Sequence, residues 1–229
     1  MNATGTLRVL LVDDHAVVRE GYRRLLERAE GITVVGEAGT ASDGYQAFCR
    51  LEPDVVVMDI SLPDVSGIEA MRRILAREPG ARVLVFSMHE EAIFPTRAFQ
   101  AGAKGYITKA SAPEALVEAV RTVASDRTYL SQDVAQTLAL RNVTGQDAGL
   151  SVLSAREFEI MRLLVSGHTV SSIAAKLGLG YKTVANYQSS IRHKLGAENA
   201  TQLLGIAART GLLTDEPAAG ADTRQRTLE

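Results

Sequence analysis

The sequence predicts an α/β domain built on a doubly wound parallel sheet of five strands, followed by an all-α domain of four helices. Three observations predict it. Short β-rich apolar runs alternate with amphipathic segments over the first 125 residues, only helical periodicity remains from 151 to 213, and a turn-rich stretch separates the two. At 229 residues the chain exceeds the roughly 100–150 of one ordinary domain and falls short of three. The expected division is a first domain over residues 1–127, a linker over 128–150, a helical domain over 151–213 and a flexible tail over 214–229.

The strands expected in the first domain cover residues 7–12, 33–38, 54–59, 82–87 and 104–108. Each is a short run rich in Val, Ile and Leu, as strands buried on both faces require. Between them apolar residues recur at helical spacing, for example Val17, Val18, Tyr22, Leu25 and Leu26, then Ile68, Met71, Ile74 and Leu75. Five strands alternating with five helices imply a parallel sheet covered on both sides. The chain has no basic n-region ahead of a long apolar stretch, and no apolar run nears the roughly 20 residues of a membrane span, so a cytoplasmic protein with no membrane partner is expected. A lone cysteine, Cys49, excludes an intrachain disulfide.

Parallel sheets of this kind place ligands outside the carboxyl ends of their strands. Here those ends are polar: the first strand leads into Asp13 and Asp14, the third ends in Asp59, the fourth in Ser87, and the fifth leads to Lys109. Three carboxylates at one edge repel each other unless a cation sits among them. Hard oxygen donors at an open site suit Mg²⁺, which keeps several waters and binds one or two carboxylates plus phosphate oxygens. A lysine beside them adds a second positive charge, and the set suits phosphoryl transfer to a carboxylate.

These residues, with the run Met58-Asp59-Ile60-Ser61-Leu62-Pro63-Asp64-Val65-Ser66-Gly67, resemble the receiver domain of bacterial two-component response regulators, which has the five-stranded flavodoxin-like fold. The resemblance implies that Asp59 is the phosphoacceptor, that Asp14 binds the metal directly and Asp13 often through water, and that the Ser61 carbonyl completes the protein ligands. It further implies that Ser87 and Lys109 contact phosphoryl oxygens and that Tyr106 is the switch aromatic, its ring moving inward as Ser87 is drawn to the phosphate. One departure stands out. Many receivers follow the lysine with a cis proline, whereas Ala110 stands here, and a cis bond to a non-proline costs about 2.5–4 kcal/mol.

The helical domain opens on Ser154 with Glu157 three residues on, the signature of a capping box. A helix to Val165, a short one over 169–177, a turn at Gly178 and Gly180, a longer helix over 181–195 and a fourth over 199–210 form a helix-turn-helix pattern. The stretches Leu153-Ser154-Ala155-Arg156-Glu157, Ile173-Ala174-Ala175-Lys176-Leu177, Lys182-Thr183-Val184 and Ile191-Arg192-His193-Lys194-Leu195-Gly196 resemble the LuxR/FixJ-type output domain of NarL/FixJ response regulators. Charge agrees: residues 151–213 carry 7 basic against 3 acidic side chains, while residues 1–127 carry 15 against 18. Asn186 and Ser189 are the expected base readers; Lys182, Thr183, Arg192 and Lys194 are the expected phosphate contacts. Ala185 and Tyr187 replace a lysine and a histidine common in the family, and losing the lysine removes about one contact. Leu203, Ile206 and Ala207 in the fourth helix are candidates for dimerisation, a role the family assigns to that helix, or equally for packing the core.

The expectation is a two-component regulator, phosphorylated on Asp59 by a sensor histidine kinase, that dimerises and binds promoter DNA; beyond its own phosphotransfer and dephosphorylation it is no enzyme. A phosphatase of the haloacid-dehalogenase type is disfavoured, because such enzymes carry a second Asp two residues after the nucleophile, where this chain has Ser61. A regulator that binds DNA regardless of phosphorylation, controlled by protein partners, is the alternative.

Overall fold

The computed structural model describes residues 5–144, 149–210 and 212. In its first domain the strands β1 (Leu7–Val12), β2 (Ile32–Ala38), β3 (Val55–Met58), β4 (Val83–Ser87) and β5 (Gly105–Thr108) alternate with helices α1 (Ala16–Arg28), α2 (Ala41–Leu51), α3 (Gly67–Arg77), α4 (Ile93–Gln100) and α5 (Pro113–Ala124). All strand pairs are parallel. The sheet has six strands rather than five. Its order is β2-β1-β3-β4-β5-β6, and β6 (Tyr129–Leu130) lies in the segment that turn-rich composition marks as linker. Two residues carry no readable alternation, so only pairing with Gly105 and Tyr106 of β5 reveals this strand.

Alternate residues of each strand feed two cores. Val9, Leu11, Val55, Val57, Leu84 and Phe86 face α1 and α5, joining Leu26, Leu116 and Val120. Leu10, Val12, Val56, Met58, Val83 and Val85 face the other way, with Phe48, Met71, Ile74 and Phe94. Both faces are covered, as the uninterrupted apolar runs require.

After β6 come α6 (Gln132–Thr144) and a 3-10 turn (Gly149–Val152), then α7 (Ala155–Val165), α8 (Val170–Lys176), α9 (Tyr181–Leu195) and α10 (Ala200–Arg209). The expected capping box forms: Ser154 Oγ accepts from the Glu157 N–H at 3.2 Å, and Glu157 Oε2 accepts from the Ser154 N–H at 2.7 Å. Helix α9 ends at Gly196, which adopts φ 64°, a left-handed turn that glycine takes without strain. Ile160, Met161, Ile173, Val184 and Ile191 form the interior of this domain and run without a break into the core beneath α4. The expected tail, 214–229, and residues 145–148 of the expected linker lie outside the described residues.

Candidate functional site

The site begins where β1 and β3, hydrogen-bonded neighbours, end side by side, so that Asp13 and Asp59 leave the sheet together. Donation from the Asp59 N–H to the Val12 carbonyl at 2.8 Å carries the pairing one residue past the strand. Both carboxylates are buried, and Asp14 beside them is exposed. Strand β5 delivers Lys109, whose N–H bonds the Ser87 carbonyl at 2.8 Å and whose ammonium reaches back over the edge. Lys109 Nζ lies 2.5 Å from Asp13 Oδ2 and 2.7 Å from Asp59 Oδ2. Burial works to lower the lysine pKa, but Asp59 and Asp13 outweigh it and hold the ammonium above its usual range.

The loop after β3 is fixed from two sides. Asp64 accepts from the Ala41 and Ser42 N–H groups at 2.8 and 2.9 Å, capping the start of α2. At Gly67 a Cβ would stand 1.9 Å from the Asp59 carbonyl oxygen, so only glycine allows α3 to start this close to the end of β3. Within the loop the Ser61 N–H donates to Asp59 Oδ1 at 3.1 Å. Among the described residues, carboxylate oxygens of Asp13, Asp14 and Asp59 and a ring nitrogen of His15 come within 4.8 Å of one another. An oxygen-rich cluster with one exposed side is compatible with a divalent metal.

Every pocket residue expected from the sequence is at this edge. Ser87 is fully buried and accepts from the His89 N–H at 3.3 Å. Tyr106 is fully buried, its ring inward and its hydroxyl donating to the His89 carbonyl at 2.7 Å; burial pushes its pKa far above the usual range. The bond between Lys109 and Ala110 is trans. His89, two residues past Ser87, is largely enclosed, with its ring stacked on Phe94 at 4.0 Å and Nε2 3.1 Å from Ser61 Oγ. Burial, then the charges of Arg162 and Lys109, hold its pKa down at about 4, so the ring is neutral at physiological pH.

On α9 the side chains of Lys182, Thr183, Asn186 and Ser189 are exposed, and Arg192 is half-buried. Lys194 is exposed as well, and its Nζ lies 2.7 Å from Glu157 Oε2, so it also holds α9 to α7. Ser190 donates to the other Glu157 oxygen, also at 2.7 Å. In helix α10, Leu203 and Ala207 are buried in the core, which is the packing alternative for these residues, while Ile206 is half-buried and Leu204 is exposed. Period counting identified an apolar face here, and that face points inward.

Sequence reasoning missed the contact between the domains. Arg97 of α4 donates to the Leu153 carbonyl at 3.4 Å and to the Leu150 carbonyl, and its guanidinium lies 4.0 Å over the Phe158 ring. Phe94 meets the same ring edge-on at 5.7 Å. An arginine set among Ile93, Phe94, Pro95, Ala98 and Phe99 was the available signal.

An acidic rim at the carboxyl edge of a parallel sheet is thus joined to a helix-turn-helix. Family models agree with both parts: residues 9–121 match the response regulator receiver domain, and residues 151–207 match the bacterial regulatory proteins of the luxR family. The response regulator GacA of Pseudomonas aeruginosa is 41% identical over 209 residues, covering 90% of this chain and 98% of its own. UvrY of Escherichia coli is 38% identical, covering 92% and 97%. Among solved structures, Salmonella RcsB bound to the rprA promoter in the presence of the phosphomimetic BeF₃⁻ matches with a TM-score of 0.67 at 27% identity, over 89% of this chain and 98% of that one. A LuxR-family response regulator from Aurantimonas is 48% identical, with a TM-score of 0.59 over 60% of this chain and 99% of its own. The chain belongs to the NarL/FixJ family of response regulators.

Proposed function

We propose that a sensor histidine kinase phosphorylates Asp59 and that this controls dimerisation and sequence-specific binding of promoter DNA. The observation that carries the reading is the Lys109 ammonium bridging Asp13 and Asp59 at the edge where Asp14 and Ser87 also converge. Asp13, Asp14, Asp59 and the Ser61 carbonyl would hold Mg²⁺, which supplies positive charge for the phosphoryl oxygens. An Asp59 oxygen displaces the donor histidine at phosphorus, the P–N bond breaking as the P–O bond forms. Lys109 pairs with a phosphoryl oxygen and Ser87 donates a hydrogen bond to another. Tyr106, already inward, is tied through its hydroxyl to the His89 carbonyl, two residues past Ser87.

Asn186 and Ser189 would read bases while Lys182, Thr183 and Arg192 grip phosphates. The chain would act in the cytoplasm and turn over no substrate other than its own phosphoryl group. Genome-wide mapping of DNA bound by wild type and by Asp59→Asn tests this reading, which predicts sites occupied by the first and depleted for the second. The exposed recognition positions on α9 favour a second reading, in which DNA is bound whatever the state of Asp59 and protein partners exert control. Equal occupancy by the two proteins would select it.

A further inference from the structure

Between the domains lies a cavity of about 130 Å³ to which three helices each contribute an arginine: Arg72 of α3 and Arg97 of α4 from the receiver, and Arg162 of α7 from the helical domain. Sites for cofactor-sized molecules begin at roughly 300 Å³, so an occupant of this space is small. The Ser66 hydroxyl, whose oxygen accepts from the Ile68 N–H at 3.3 Å, adds an O–H donor to the lining.

The charges lining the cavity do not balance. Glu159 is the one carboxylate among the lining residues, and it bonds a fourth guanidinium, that of Arg156, at 2.9 Å. Among the described residues Arg72, Arg97 and Arg162 close no ion pair within bonding range. Arg97 is the most confined of the three: it is 7% exposed, its two Nη groups donate to the Leu153 and Leu150 carbonyls, and its Nε is buried without a hydrogen-bond partner among the described residues. Carbonyls satisfy hydrogen bonds without supplying a counter-charge, and the Phe158 ring 4.0 Å from the guanidinium offsets the charge only in part. Burial, then the charge of Arg72, pull the Arg97 pKa down to about 10, so the two guanidiniums repel each other. Burial also pulls that of Arg162 down, and Glu159 offsets only part of the effect.

We propose that this cavity binds a small oxyanion of phosphate or sulfate size, held by Arg72 and Arg97 of the receiver and by Arg162 of the helical domain, and that the anion clamps the two domains together. Guanidinium forks suit the paired oxygens of such anions, and a charged acceptor returns the counter-charge that carbonyls withhold. One anion relieves the repulsion between Arg72 and Arg97 and bridges both to α7. Binding only where the three arginines converge, it raises the share of the docked arrangement by mass action. Asp59, Ser87 and Lys109 do not line the cavity, so the site is separate from the phosphorylation edge and does not depend on transfer to Asp59.

The test is calorimetric titration of the full, unphosphorylated chain with inorganic phosphate and separately with sulfate, without Mg²⁺ and at an ionic strength held constant with sodium chloride. Wild type should bind at least one of the two saturably, and saturation by neither would overturn the proposal. Arg72→Gln, at an exposed position that tolerates the change, and Arg162→Gln should each weaken that binding by about tenfold, as loss of a charge-assisted hydrogen bond implies. Arg73→Gln removes the same charge one residue along α3, where the guanidinium lies over the Tyr45 ring and outside the cavity, and should bind as wild type does. Binding that Arg72→Gln and Arg162→Gln leave unchanged belongs to another part of the molecule and sinks the assignment, as does an equal loss in Arg73→Gln. If Arg162→Gln does not fold, Arg162→Lys replaces it: a point charge without the fork should bind several-fold more weakly, and unchanged affinity contradicts the site. Amide hydrogen exchange on the same proteins tests the clamp. Saturating anion should slow exchange across α7 and the preceding turn by about tenfold in wild type and not in Arg162→Gln, whereas binding without slowing would contradict a bridge between the domains.

Discussion

Glu157 does more than cap α7. Its side chain is 5% exposed, and its two oxygens bind Lys194, Ser190 and the Ser154 N–H, fastening three parts of the helical domain at one point. Burial alone would raise its pKa, but Lys194, the Ser154 N–H and Ser190 outweigh burial and hold it at about 2. The folded value lies below the ordinary 4.5, so this stabilisation is fully present above about 4.5 and is lost as pH falls towards about 2. Denaturant titrations should therefore show Glu157→Gln less stable than wild type at neutral pH, with the gap closing across that acidic window; a constant gap would contradict the assignment. Gly67→Ala makes a second prediction. The added methyl would meet the Asp59 carbonyl oxygen at 1.9 Å, forcing the loop to shift, so unfolding stability should fall by about 1–3 kcal/mol and phosphorylation by acetyl phosphate should slow. At this scale the acidic edge was legible because each residue ends a strand, and strand ends in a parallel sheet converge. The enclosed state of His89 was not, since its cover comes from Phe94 on a helix not expected to lean over it.

Among the elements, α9 separates two kinds of lysine that look alike in sequence. Lys182 is exposed at its first turn, whereas Lys194 is bound to Glu157 at its last. Lys182→Ala should weaken DNA binding evenly across sequences and reduce the slope of log affinity against log salt by about one. Lys194→Ala should leave that slope unchanged and cost about 2 kcal/mol of domain stability, measured by thermal unfolding, because a buried carboxylate loses its cation. The elements themselves were mostly readable: five strands, the capping box and the glycine-punctuated helices stand where periodicity and turn chemistry place them. Strand β6 was unreadable because two residues offer no period, and its existence depends on the open edge of β5. The inward face of α10 shows the converse limit, that an apolar stripe identifies a buried face without saying what buries it.

For the whole molecule, the decisive feature is the tie between domains. A single apolar core runs from the α4 side of the sheet into the helical domain, and Arg97 lies in the seam with its guanidinium stacked on Phe158. No local pattern announces such a seam, because Phe94, Arg97 and Phe158 come together only when both domains are folded. In this arrangement Lys182, Thr183, Asn186 and Ser189 of α9 are exposed. The most direct measurement of control by Asp59 is the affinity of the full chain for a duplex selected from random DNA, with Mg²⁺, before and after acetyl phosphate, in wild type and Asp59→Asn. A phosphorylation-gated regulator requires tighter binding after treatment in wild type and unchanged binding in Asp59→Asn. Equal affinities in wild type before and after treatment, with the phosphoryl group verified on Asp59 by mass, would contradict it.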